Sequence, residues 1–169
     1  MKQAKAGLLL NNGLTLIEHV YRVLSRICAR IVLVGHGQGV PETLKDVTLV
    51  KDNYPGCGPI AGLEALLSSQ IDTEYLIVPC DLFKINQEVL QWLSRVDARF
   101  PVVLKHGDWI EPLVGRYSID ILDLARRQIA QKKMAMHDLV MSANGTLLEV
   151  PSEFIPFLAN ANTPQDLNE

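Results

Sequence analysis

Residues 75–81 read Tyr75-Leu76-Ile77-Val78-Pro79-Cys80-Asp81, and this stretch decides the fold class. Its apolar run is stopped by a proline and flanked by turn and helix signals. It is short and lacks polar alternation, which predicts a strand buried on both faces. Sheets covered on both faces are the parallel sheets of α/β proteins. Such sheets bind ligands outside the carboxyl ends of their strands. Asp81 closes the run at that end, where a metal or phosphate ligand would sit. The plain alternative is a strand-end aspartate that only caps the following turn.

Working outward, the same alternation continues in both directions. Upstream lie Lys51-Asp52, a Gly/Pro/Cys turn and Gly58-Pro59-Ile60-Ala61-Gly62. Pro59 suits the first turn of a helix whose core face is Ile60, Leu63, Leu66 and Leu67. Glycines at a helix start allow close backbone approach by an anionic or polar ligand. Residues 8–10 predict a short strand and Asn11-Asn12-Gly13 a turn. Thr15 can cap a helix running to about Ser25, with Leu16, Val20, Val23, Leu24 and Ile27 on one face. Residues 31–34 and 47–50 predict two more strands, the first closed by Gly35-His36-Gly37-Gln38-Gly39.

Downstream, helices are expected over 87–93, 119–130, 134–141 and 152–158. Strands are expected over 101–104 and 146–150. Residues 111–116 follow a turn at His106-Gly107-Asp108 and read as a strand bearing polar groups. Strands alternating with helices imply one three-layer α/β domain over 1–169 with a mostly parallel sheet.

Composition excludes several classes. The chain has 169 residues, 48% hydrophobic and 21% charged, with a formal net charge of −3. That charge leaves no electrostatic footprint for nucleic acid. No apolar run approaches the roughly 18–20 residues of a membrane span. Residues 8–10 are too short for a signal-peptide core, so the expected location is the cytoplasm. Cys28, Cys57 and Cys80 are odd in number and widely spaced, which fits neither a disulfide framework nor a zinc site. They read as passive thiols.

A last polar segment, Asn160-Ala161-Asn162-Thr163-Pro164-Gln165-Asp166, enters a helix near the end of the chain. Its asparagines can bond a ligand or cap the turn, and capping is the simpler role. Taken with Asp52, Gly58 to Gly62 and Pro79-Cys80-Asp81, the order of motifs resembles the molybdenum cofactor guanylyltransferases. Those enzymes have a Rossmann-like nucleotidyltransferase fold and join the GMP part of GTP to molybdopterin, releasing pyrophosphate. The resemblance covers essentially the whole chain.

It implies Asp81 as the Mg²⁺ ligand, with Asp52, Gly58, Pro59, Ala61 and Gly62 holding the nucleotide. Lys5 would offset phosphate charge, and Asn162 would shape the pterin side. It also implies GTP and molybdopterin as substrates; the expected state is a monomer, and docking to molybdoenzyme chaperones or apoenzymes belongs to the binding-protein alternative. A molybdenum cofactor cytidylyltransferase and a sugar-phosphate nucleotidyltransferase share this chemistry and stay open.

The chain departs from the family pattern at its front. Family members begin with a strand and a loop close to Leu-Ala-Gly-Gly-x-Ser-x-Arg-Met-Gly-x-Asp-Lys. Aligned on the methionine and lysine, Met1 and Lys5 match that loop, while Lys2 replaces a glycine and Ala4 an aspartate. The first strand is therefore expected to be missing from between residues 31–34 and 75–78. Either translation starts upstream, or the chain is a degenerate relative with a cofactor- or partner-binding role. Other residues draw no role from the sequence. His19 and His137 read as structural or surface groups, His106 as an exposed turn residue, and Trp92 and Trp109 as core or edge aromatics. His36, in a Gly-rich loop beyond a strand, is the one histidine that could line the site.

Overall fold

The fold was taken from a computed structural model, which describes residues 5–161. Its first long element is helix α1 (Leu16–Leu24), started by a reciprocal cap. The Glu18 N–H donates to the Thr15 hydroxyl at 3.3 Å, and the Thr15 N–H donates to the Glu18 carboxylate at 2.8 Å. These bonds satisfy two of the donors that a helix start leaves open. Hydrogen bonds from Thr43 and then Thr15 hold the Glu18 carboxyl below the usual carboxylate range. Leu16, Val20 and Val23 form the buried stripe.

Strands β1 (Leu33–Val34) and β2 (Leu49–Val50) pair in parallel, with Leu33 opposite Leu49. The other strands are β3 (Glu74–Ile77), β4 (Val102–His106), β5 (Trp109–Ser118) and β6 (Thr146–Glu149), which form a second sheet in the order β3-β5-β4-β6. β5 runs antiparallel to both β3 and β4, and β6 runs parallel to β4. Three of these four strands share one direction, but two of the three ladders are antiparallel, and β3, expected to be a parallel strand, pairs only with the reversed β5. β5 is the reversed strand because a hairpin at Gly107 (φ 57°) joins it directly to β4. That turn leaves no room for a crossover helix.

Helices α2 (Pro59–Ser68), α3 (Gln87–Arg95), α4 (Leu122–Ala130) and α5 (Met136–Ser142) complete the layers. Val102 and Leu104 of β4 point to one face, where they meet Val20 and Val23 of α1 and Val89, Leu90 and Leu93 of α3. Val103 and Tyr117 point to the other, against α2, α4 and α5. The period-two alternation of β4 thus feeds two cores, one on each side of the sheet. Among the described residues, no helix is long and apolar enough to cross a membrane.

Several elements differ from expectation. The strands predicted over 31–34 and 47–50 keep only two paired residues each. Each has one partner strand, so its outer residues lack a ladder to join. Leu9 makes a single bridge to Thr15 in place of a strand over 8–10. The expected last helix over 152–158 is a turn followed by the 3₁₀ segment Ile155–Leu158. Pro156 removes the N–H that would close the first turn of a helix begun at Ser152. Among the described residues, no strand pairs with the free edge of β1 or of β3. This is where the first strand was expected to be missing.

Candidate active site

Asp81 lies just beyond β3, past Pro79 and Cys80, and is partly exposed. Its carbonyl accepts the N–H of Phe83 at 3.0 Å and that of Ala161 at 2.8 Å. Leu82 also bridges Asn160 in antiparallel fashion. The strand-end motif and the start of the asparagine motif, 80 residues apart in sequence, are therefore side by side. Ala161, Leu16, Leu8, Leu10 and Phe83 pack into a small core beneath this junction. Asn162 lies outside the described residues.

Glu111 on β5 shares this corner. Burial, and the negative charge of Asp81 nearby, push its carboxyl above the usual range. The Trp109 indole N–H and His106 work in the opposite direction. His106 Nε2 stands 3.9 Å from a Glu111 oxygen. Trp109 is 65% exposed at the hairpin tip, an edge aromatic and not a core one. Residues 111–116 were legible as a polar strand, but nothing in the sequence tied Glu111 to Asp81. Only the reversal of β5 brings the two together.

The second corner is built around Asp52, which follows β2. Its Oδ2 stands 3.8 Å from His36 Nε2, and the side chain is 14% exposed. Its Oδ1 is fully buried with no hydrogen-bond partner. A buried carboxylate oxygen is costly to leave unbonded, while the other oxygen of Asp52 faces the exposed His36 ring. Gly62 of α2 packs against this side of the carboxylate. A Cβ there would lie 3.6 Å from Asp52 Oδ1 and 3.2 Å from a Val34 methyl.

Gly58 caps α2 with φ 70° and ψ −158°, a conformation for which glycine is suited, and Pro59 takes the first turn as expected. Ala61 is fully buried and its N–H donates to the Gly58 carbonyl at 3.0 Å.

The loop carrying Asp52 is pinned from behind. Asn53 donates to Glu64 at 2.9 Å, and Ser68 and Arg126 donate to the same carboxylate at 2.6 and 2.9 Å. Glu64 is 1% exposed. Burial alone would raise its carboxyl, but the bonds from Ser68, Asn53 and Arg126 hold it below the ordinary range. This network escaped the sequence reading, because Glu64 sits on the same helix as the apolar residues and breaks their pattern by a single position.

Lys5 opens the 3₁₀ turn Lys5–Gly7, and its side chain is outside the description. Among the described residues, no three His, Cys, Asp or Glu side chains are grouped as for a protein-caged metal. Asp81 still offers a carboxylate beyond the end of β3, near enough for Glu111 to feel its charge. Magnesium suits such a corner, because it binds through one or two carboxylates together with phosphate oxygens and waters. Burial of Cys28 pushes its thiol up, which fits a passive role.

Comparison with known proteins adds to this geometry. A family model described as the MobA-like NTP transferase domain matches residues 1–143. A molybdenum cofactor guanylyltransferase of Pseudomonas fluorescens is 30% identical over 165 residues, covering 94% of this chain and 81% of that one. The crystal structure of molybdopterin-guanine dinucleotide biosynthesis protein A from Archaeoglobus fulgidus superposes with a TM-score of 0.74 at 24% identity. It covers 97% of this chain and 87% of that one. A 2-C-methyl-D-erythritol 4-phosphate cytidylyltransferase from Thermus thermophilus superposes at 0.68 with 18% identity, covering 97% and 90% of the two chains. At these identities the two structures speak to the fold alone.

Proposed function

The chain belongs to the MobA-like NTP transferase family, and from that premise we propose that it transfers GMP from GTP to molybdopterin, with release of pyrophosphate. The observation that carries the reading is the partly exposed Asp52 carboxylate just beyond β2, beside the glycine-opened start of α2. A carboxylate so placed accepts N–H donors, and the Watson–Crick edge of guanine offers them. Cytosine offers a single exocyclic amino group, so the same site holds CTP less well.

In this reading the pterin's terminal phosphate oxygen attacks the α-phosphorus of GTP. The bond from that phosphorus to the bridging oxygen breaks, and pyrophosphate leaves. Asp81 would hold Mg²⁺, which supplies charge neutralisation at the phosphates. Lys5 offsets phosphate charge. Gly58, Pro59 and Gly62 shape the nucleotide's seat, while Asn162 shapes the pterin side. The Glu64 network keeps Asp52 in position from behind.

A second reading is that the protein binds nucleotide and cofactor without turning them over. One experiment separates the two. The purified protein is incubated with molybdopterin, Mg²⁺ and either GTP or CTP, and pyrophosphate is measured alongside nucleotide binding. Release with GTP in preference to CTP supports transfer. GTP binding without release supports the second reading, and absence of GTP binding sinks both.

A further inference from the structure

The geometry points to an acceptor subsite at the β4–β5 hairpin, where Trp109 stacks on the flat heterocycle of the second substrate and Glu111 accepts its N–H groups. The identity of that substrate rests on the transfer reading above. The place of the subsite rests on three features of the hairpin.

The first is a shared face. His106 pairs with Trp109 across the hairpin, and Leu104 pairs with Glu111. Paired side chains lie on one face, and that face recurs at every second residue. Leu104, His106, Trp109 and Glu111 therefore form one patch. Leu104 is fully buried in the core beneath α1 and α3. The Glu111 and His106 side chains are 17% and 29% exposed, and Trp109 is 65% exposed. The patch thus climbs from the core to an open indole.

The second is where the patch stands. β3 runs antiparallel to β5, with Ile77 opposite Gly115. Asp81 follows Ile77 and Glu111 precedes Gly115 by the same number of residues, so both lie at one end of the sheet. The bridge from Leu82 to Asn160 brings the polar segment that begins at Asn160 to this end as well. β5 flanks β3 on the edge away from β1 and β2. The hairpin therefore lies across Asp81 from Asp52.

The third is the chemistry on offer. An exposed indole is a stacking surface for any flat ring. His106 Nε2, at 3.9 Å from Glu111, is beyond hydrogen-bond distance. A carboxylate has about four acceptor positions, more than the Trp109 N–H uses.

These features define the ligand. A fused ring with an amino group next to a ring N–H gives a carboxylate two adjacent donors and gives an indole a flat face. Pterin carries that edge, and so does guanine. Position decides between them. The nucleotide's seat is at Asp52 and the start of α2, so the hairpin is left to the pterin.

The test uses the full chain and 6-hydroxymethylpterin phosphate, whose own fluorescence is quenched when it stacks on an indole. The parent protein is expected to quench the probe, and excess Mg·GTP to leave the quenching in place. Trp109→Ala should abolish quenching and weaken probe binding about tenfold in calorimetry, as loss of one stacked ring implies. Trp109→Phe keeps a ring and should bind close to the parent. Glu111→Gln should weaken binding with an unchanged melting curve. In the pyrophosphate assay, Trp109→Ala and Glu111→Gln should raise the KM for molybdopterin and leave that for GTP. Displacement of the probe by GTP would give the hairpin to guanine and overturn the proposal. So would an unquenched probe with the parent, quenching that survives Trp109→Ala, or a rise in the KM for GTP alone. Pyrophosphate release by the parent judges the transfer reading separately. Release without quenching overturns the subsite alone, whereas quenching without release supports the subsite and counts against transfer.

Discussion

The four-stranded sheet and the β1–β2 pair are made of similar residues and behave differently. In the first, Val102, Val103 and Leu104 are all 0% exposed, each held by ladders on both sides and helices on both faces. In the second, Val34 and Leu49 are 41% and 37% exposed. The difference teaches that an apolar run specifies a strand but not its burial, which depends on a neighbour at each edge. It also divides the work of the molecule. The four-stranded half holds the fold together, while Asp52, His36 and the glycine-opened start of α2 gather at the thin half, with Asp81 at the border.

That division can be broken by substitution. Asp81→Asn should lower pyrophosphate release by about 10²–10³-fold, typical for loss of a charge-stabilising group at phosphates, with an unchanged melting curve. A matching loss of stability would show that Asp81 belongs to the structural half. Leu104→Ala should cost about 2–5 kcal/mol in a denaturant titration. Leu33→Ala, in the thin half, should cost about 1 kcal/mol. Equal costs would erase the contrast between the two regions.

Asp52→Asn should raise the KM for GTP by about tenfold with kcat little changed, since it removes an acceptor used in binding. A fall in kcat at unchanged KM would move Asp52 from nucleotide recognition to chemistry. The smallest effect concerns acid. The Glu64 carboxyl is held low in the folded protein, so its bonds stabilise the fold above the carboxyl's unfolded pKa. That contribution is lost as pH falls through the lowered folded value. Glu64→Gln should flatten the loss of stability below about pH 4, near the ordinary glutamate value, as followed by thermal melts. A variant with the parent's slope would place the acid sensitivity elsewhere.

Much of this was legible from the chain because short-range rules govern it. Thr15 caps α1 and Pro59 starts α2, each through contacts within one turn. The two cores follow from the alternation of Val102, Val103 and Leu104. Asp52 and Asp81 were identified as site residues on motif order, and the structure places each at the end of a strand. What was not legible depends on long-range geometry. The nearness of Glu111 to Asp81 needs β5 to run backwards, which a hairpin at Gly107 decides and an apolar pattern does not. The Glu64 anchor needs α2, α4 and the loop at Asn53 to meet, and their residues lie up to 73 positions apart. The expected strands at 31–34 and 47–50 shrank because ladder formation depends on partners that local sequence does not name.

The junction at Asp81 has one more consequence. Its carbonyl holds the N–H groups of both Phe83 and Ala161, and the small core beneath draws on Leu8, Leu10 and Leu16. Residues from both ends of the polypeptide thus close over the same carbonyl like the two halves of a clasp. Few apolar groups stabilise that closure, so it is a natural first place for the molecule to come undone. A protease cut on either side of the clasp should loosen the other, and a nucleotide that holds Asp81 in place should protect both ends at once.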